Sequence, residues 1–548
     1  DVKDVFFGKY DSLVEFDSNA SRSNYLNEGD NFDTSDSDWN NNDFTRDGIQ
    51  WNTTRLVWDY FAEYTLYWLT QTGYLDGTEH TEETRYIGID GLRCDFGQGL
   101  PPRAWEYIIN VTRERKWNFV MMSESLDGGA VTYRSSRHFD ILNENIVFSL
   151  NSANNKNAYR SIFEDRRDYY GQALVLLNNT SHDEAMPSDP WEAVIRSAAT
   201  GMIDGTTMIF PGQELGIGGT YGYDWYELNF GKEIPHFKKW NSMNDAWNNT
   251  DYGNDQLYPV YSAIQTARQN SPALQSSNRW FIDGDGGNDQ IFATAKYQTA
   301  NAPPSASDVV IGFVNLNRNS TVSDNFKIPS ELSTLLGIKD SRTYNVKNIA
   351  AYTAQDSNRN DEWLWGSGIT GEDLKANGFF VQLNPVPTVE NAWQTAPYEA
   401  QYLKLFDVTP PPATSAPENS TGKNYVVGTD VQFTWTESES NTVDDNITGY
   451  RLVIKASTSD TTVYDQNLGN VTEYTYTGSF GDNVYSIIYP ISIAGVEAPG
   501  SSISNAVALL NPDLDEDLDG QSNYMEEIAG TDIYDRNSLF ELQYTKDK

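Results

Sequence analysis

Apolar and polar positions over residues 55–275 switch repeatedly between two periods. From Arg55 the stretch RLVWDYFAEYTLYWLTQ places Val57, Tyr60, Phe61, Tyr64, Tyr67 and Trp68 at helical spacing. Short apolar runs then alternate with amphipathic stretches. YIGIDGLRCD (86–95), NFVMMSE (118–124), HFDILNENIVFSL (138–150), ALVLLNN (173–179) and TTMIFPG (206–212) read as strands. PPRAWEYIINVTRER (101–115), NAYRSIFEDRRDYY (157–170), PWEAVIRSAATGMID (190–204) and LYPVYSAIQTARQN (257–270) read as helices. Strands alternating with helices predict a parallel sheet with right-handed crossovers. Residues 276–406 read as all-β, and the Pro/Ser/Thr-rich stretch 407–422 as a linker. Residues 423–510 carry short alternating strands at sandwich spacing. Residues 1–54 are rich in Asp, Asn and Ser and read as irregular; residues 511–548 form an acidic tail. The fold class is therefore multidomain, α/β followed by β.

Charge narrows the partners. Thirty-eight Lys plus Arg against 78 Asp plus Glu leave a formal net charge of −40. That balance argues against nucleic acid and against an anionic membrane surface, both of which attract cations. A neutral partner such as a sugar, or a cation such as calcium, remains compatible. A single cysteine, Cys94, excludes an internal disulfide framework and a multi-cysteine zinc site. No apolar run approaches the ~18 residues of a membrane span.

Charged residues gather where the apolar strands end. Arg93 and Asp95 close the first run, Glu124 the second, His182 and Asp183 follow the fourth, and Gln213 and Glu214 the last. In a parallel α/β barrel all strand ends face one mouth. A lone Asp at a strand end usually caps a helix or a loop, but several charged ends in register weaken that reading. Arg93 and Asp95 share one face of their strand, because side chains alternate. Asp95 held ionised by Arg93, beside a Glu124 that keeps its proton longer, would form the nucleophile and acid of retaining glycoside hydrolysis. Cys94, on the opposite face, reads as a small core residue.

GIDGLRCD (88–95), SES (123–125), TSHDE (180–184) and MIFPGQE (208–214), in this order, resemble the short motifs of the α-amylase family, glycoside hydrolase family 13. The resemblance covers about residues 55–405. It implies strands four to eight of a (β/α)8 barrel over residues 55–275 and an all-β domain over 276–406. It implies Asp95 as nucleophile and Glu124 as general acid and base. Asp183 and His182 would bind the sugar, and Arg93 would orient Asp95. Ser181 stands where the family commonly has Asn. Gln98 and Gly99 stand where it often has Lys-His, which puts the usual barrel calcium site in doubt. The family's first motif is missing from the sequence. The chain is therefore expected to be N-terminally truncated, with residues 1–54 the tail of an inserted subdomain, and to have little activity alone.

DEDLDGQSNYME (515–526) fits the calcium-loop pattern D-x-[DN]-x-[DN]-G-x5-E. Asp515, Asp517 and Asp519 would supply carboxylate oxygens and Gln521 a backbone carbonyl. Asn523 would act through water, and Glu526 would close the shell. The following EEIAGTD is similar to bacterial calcium-binding repeats. Residues 423–510 resemble a fibronectin type III-like sandwich with Trp435 and Tyr450 in its core; an exposed sugar-binding surface is the alternative. The leading functional expectation is a secreted hydrolase of α-linked glucans. A same-family transglycosylase or branching enzyme, and a non-catalytic carbohydrate-binding protein, remain open alternatives.

Overall fold

The computed structural model describes residues 51–95, 97, 102–125, 139–143, 146–170, 173–181, 189–216, 244–245, 247–249, 253–352, 361–384, 400–438 and 447–542. Helix α1 (Trp51–Gln71) begins the described chain, four residues before the periodicity suggests. Its buried face is Trp58, Ala62, Thr65 and Leu69, a run spaced by one helical turn. The aromatic stripe Tyr60, Tyr64, Tyr67 and Trp68 is exposed. Both faces of this helix are apolar, so spacing alone does not select the one that packs.

Five strands follow: β1 (Gly91–Cys94), β2 (Val120–Glu124), β3 (Ile141–Asn143), β4 (Leu174–Asn178) and β5 (Thr206–Met208). They pair in parallel in the order 1-2-3-4-5. The crossovers include α2 (Pro102–Arg115), α3 (Ile146–Ser152), α4 (Lys156–Tyr170) and α5 (Pro190–Thr200). The stretch 138–150, expected as one strand, divides into β3 and α3. Ile146, Val147 and Leu150 are buried at helical spacing, so the apolar run belongs to two elements. Strands stepping one place at a time with crossovers of one hand put their helices on one face of the sheet. β1 and β5 are its edges among the described residues.

Charged groups secure the strand starts. Lys116, fully buried, donates to the carbonyls of Ile87 and Ile89 and pairs with Asp90 at 3.0 Å. Arg113 pairs with Asp140 at 2.7 Å just before β3. Arg268, on α6 (Leu257–Asn270), donates to the carbonyls of Gly201, Ile203 and Gly205 and shapes the turn into β5. Tyr402 reaches across from the next domain to donate to the Ala198 carbonyl at 2.5 Å.

That domain is antiparallel. Its main sheet contains β6 (Arg279–Phe281), β7 (Ile291–Tyr297) and β8 (Val309–Asn315), whose residues are buried throughout in β7 and β8. β9 (Val322–Phe326) pairs separately with β12 (Phe379–Leu383). β10 (Thr343–Asn348), β11 (Ile369–Thr370) and β13 (Ala400–Asp407) complete the main sheet in the order 11-10-13-8-7-6. The stretch 407–422 then carries β14 (Glu418–Asn419), and Pro412 accepts a hydrogen bond from Ser438, so it lies along the sandwich. The sandwich sheets comprise β14, β16 (Asp430–Thr434) and β19 (Glu473–Thr477) against β15 (Tyr425–Val427), β17 (Ile447–Ala456), β18 (Thr462–Leu468), β20 (Asn483–Ser492) and β21 (Val507–Leu510). Trp435 and Tyr450 lie in its core with ring centroids 5.8 Å apart. A last helix, α7 (Asn523–Ala529), follows the acidic loop. Among the described residues no helix is long and apolar enough to cross a membrane.

Candidate functional site

β1 and β2 run in parallel with Arg93 opposite Met122 and Cys94 opposite Ser123. That register brings Asp95 and Glu124 level at the carboxyl ends of adjacent strands. Arg93 reaches both carboxylates. Its Nη1 donates to Asp95 Oδ1 at 2.6 Å and its Nη2 contacts Glu124 Oε1 at 2.8 Å. The side chains of Arg93, Asp95 and Glu124 are 32%, 79% and 7% exposed. One carboxylate therefore stands in solvent and the other is nearly enclosed, with a single guanidinium between them.

The turn after Asp95 is pinned from below. Trp105 on α2 donates from Nε1 to the Gly97 carbonyl at 2.8 Å. A Cβ on Gly97 would lie 2.0 Å from Ser123 Oγ and 3.0 Å from the Glu124 carbonyl oxygen. The absent side chain is thus what lets the Asp95 turn rest against the end of β2. Ser123 and Ser125 flank Glu124 on the opposite face of β2, and their hydroxyls share a 2.8 Å hydrogen bond. Ser125 N–H donates to the Asn143 carbonyl at 2.7 Å, extending the β2–β3 pairing to the rim. Cys94 is buried, and desolvation pushes its thiol up to about 12, against the pull of Arg93. It is a protonated packing residue.

Later strand ends add polar groups. Asn178, Asn179, Thr180 and Ser181 are all buried as β4 leaves the sheet. His182 and Asp183, the next two residues, lie outside the described residues. After β5, Gln213 is buried and donates to Tyr261 Oη at 3.1 Å. Glu214 accepts from Gly212 N–H at 2.9 Å. Desolvation raises its carboxyl, and the amides of Glu214 and Gly212 partly oppose this. Both residues serve the turn. Sequence reading singles out Arg93, Asp95 and Glu124 as candidates; it does not show the Arg93–Glu124 contact or the Gly97 approach, both of which depend on the register of two strands.

A second group of acids lies in the tail. Asp515, Asp517 and Asp519 each offer a carboxylate oxygen within 4.8 Å of the others. Gly520, at φ 98°, permits the turn, and its N–H donates to Asp515 Oδ2 at 2.8 Å. Gln521 N–H donates to Asp519 Oδ1 at 2.7 Å. Asn523 braces the loop: its Nδ2 donates to the Asn511 carbonyl at 2.8 Å, and its Oδ1 accepts from Glu516 N–H. Glu526 is buried, and neither of its oxygens has a hydrogen-bond partner. Asp517 Oδ2 and Asp519 Oδ2 are orphaned in the same way. Desolvation, with Asp517, Asp519, Asp515 and Asp532 nearby, pushes the Glu526 carboxyl up to about 7. Orphaned hard oxygens facing one another fit a calcium-class cation.

No protein-family model matches this chain, and no curated protein matches it. Solved structures do. A maltogenic α-amylase from Thermotoga neapolitana is 13% identical, with 64% of this chain and 63% of that one covered and a TM-score of 0.36. An α-amylase from Geobacillus thermoleovorans, complexed with acarbose, is 14% identical over 65% of each chain, with a TM-score of 0.39. A debranching enzyme from Nostoc punctiforme is 18% identical, covering 51% of this chain and 55% of that one, with a TM-score of 0.35. The chain covers less than two thirds of the length of each of these three structures.

Proposed function

We propose that Asp95 and Glu124 are the nucleophile and the general acid of a retaining glycoside hydrolase acting on α-linked glucans. The observation that carries this reading is the Arg93 fork, which holds two carboxylates of unlike exposure at adjacent strand ends. Retaining enzymes need carboxyl groups about 5–5.5 Å apart, and inverting enzymes about 6.5–9.5 Å. Two carboxylates on one guanidinium suit the closer spacing.

In this mechanism an Asp95 oxygen attacks the anomeric carbon and forms an ester with it. The glycosidic C–O bond breaks, and its oxygen takes the Glu124 proton. Glu124, now a carboxylate, removes a proton from water as that water attacks the anomeric carbon. The ester breaks, and Asp95 is regenerated. Arg93 orients both groups and balances the charge of Asp95 before attack and of Glu124 once it has given up its proton. His182 and Asp183 are proposed to hold the sugar hydroxyls.

A sheet wound in one direction leaves its inner face and both edges to be covered, and barrel closure does both. We infer that catalysis requires closure of the barrel beyond the five strands of the described residues. The test uses a polypeptide containing this chain and the closing strands, with maltooligosaccharides as substrate. Asp95→Asn and Glu124→Gln should each lower kcat about 10²–10⁴-fold. Shorter products support hydrolysis, and longer ones transfer to sugar. Unchanged turnover in both variants would place the chemistry on other residues, and binding of maltooligosaccharide with no turnover in the parent would leave a non-catalytic carbohydrate-binding protein.

A further inference from the structure

The sandwich and the acidic tail, distinct in composition, share a small core. Ile533 is fully buried against Tyr425 and Leu510. Tyr534 meets the Tyr425 ring edge-on at 5.7 Å. Lys423 Nζ bonds Glu527 on α7 at 2.8 Å and lies 5.0 Å from the Tyr425 ring centroid. These contacts cover β15, which pairs only with β21 among the described strands. An uncovered strand edge is a site of unwanted pairing.

Carboxylate oxygens without a hydrogen-bond partner, Asp517 Oδ2, Asp519 Oδ2 and both of Glu526, sit at the root of this cover. Asp515, Asp517 and Asp519 belong to the loop that leaves the sandwich, whereas Glu526 belongs to the helix beside Glu527. Both Glu526 oxygens are buried without a hydrogen-bond partner, beside the like charges of Asp517, Asp519 and Asp515. Buried carboxylates without a cation or hydrogen bonds are strongly destabilising. An all-oxygen, multiply charged donor set selects a hard divalent cation over zinc or copper.

We propose that the Asp515–Glu526 loop binds one calcium ion, and that this ion clasps α7 and the Ile533 segment onto the β15 edge of the sandwich. Cation binding pulls Glu526 toward the loop and fixes the helix next to Lys423 and Tyr425. Without the ion, the four carboxylates repel one another and the tail lifts, uncovering Tyr425 and Leu510. This inference is independent of the glycosidase reading.

The test is calcium titration of the whole chain after chelation, followed calorimetrically and by amide hydrogen exchange. One binding event with a dissociation constant of about 10⁻³ M or tighter is expected. Calcium should slow exchange at residues 423–427 and 507–510. Glu526→Gln should weaken binding about tenfold or more, because an amide offers one oxygen where a carboxylate offers two. Ile533→Asn touches no ligand; it should still bind calcium, but protection of 423–427 should no longer follow. Tyr534→Ala serves the same purpose if that variant does not fold. Absence of calcium heat, or binding that leaves exchange at 423–427 and 507–510 unchanged, overturns the proposal.

Discussion

Arg93→Met separates the two arms of the guanidinium fork. The Glu124 arm joins a partly exposed Arg to a carboxylate that is only 7% exposed. A charged hydrogen bond in such a place contributes about 1.5–3 kcal/mol. The Asp95 arm ends on a carboxylate that is 79% exposed, where water screens the pair and the contribution is about 0–1 kcal/mol. Arg93→Met should therefore destabilise the α/β unit by about 2–3 kcal/mol, mostly through Glu124. A unit of this size loses about 2–4 °C per kcal/mol, so its calorimetric transition should fall by roughly 4–12 °C. Asp95→Asn should move the same transition by no more than about 4 °C through its exposed Arg93 contact. Differential scanning calorimetry of the parent and the two variants decides the matter. If Asp95→Asn costs as much as Arg93→Met, or Arg93→Met costs nothing, the division of roles between the arms is wrong.

Gly97→Ala should lower the same transition, by about 1–3 kcal/mol, because the new methyl meets Ser123 Oγ at 2.0 Å; an unchanged melt would refute the close approach. Lys296 is buried, and desolvation pushes its ammonium down to about 7, with Arg268, Arg279 and Arg167 adding to the effect against Asp204. Its folded value lies below the unfolded value of about 10.4, so charging it opposes folding fully below pH ~7 and less as the pH rises toward the unfolded value. Melting curves of Lys296→Met and parent should therefore converge in favour of the parent between pH ~7 and ~10; a constant difference contradicts this. The chain of residues 1–548 alone should hydrolyse soluble α-glucan little or not at all, and reducing-sugar release at a normal turnover rate would show that no further strands are needed.

Much of the sheet was legible because its strands are short apolar runs ending in polar residues. NFVMMSE contains β2, and ALVLLNN contains β4. The third strand misled, because two short apolar pairs, Ile141–Leu142 and Ile146–Val147, lie close enough in sequence to read as one strand, whereas they belong to β3 and α3. The packing face of α1 was unreadable for a related reason: Tyr60, Tyr64 and Tyr67 repeat as regularly as Trp58, Ala62 and Thr65. At the site, residue types and strand ends pointed to Arg93, Asp95 and Glu124. The second arm of Arg93 depends on the pairing of β1 with β2, which no local pattern states. In the tail, the spacing indicated the loop acids. The docking of Ile533 on Tyr425 joins residues about a hundred positions apart, with Leu510 between them in sequence, and only the folded chain reveals it.

The most direct test of the site is a covalent trap. A polypeptide carrying this chain within a closed barrel is incubated with a 5-fluoro-α-glucosyl fluoride, digested and analysed by mass spectrometry. One added glycosyl mass on the peptide containing Asp95, lost in Asp95→Asn, is the predicted result. A label on another carboxylate, or none while the same polypeptide still cleaves α-glucan, would contradict the assignment of Asp95 as the attacking group.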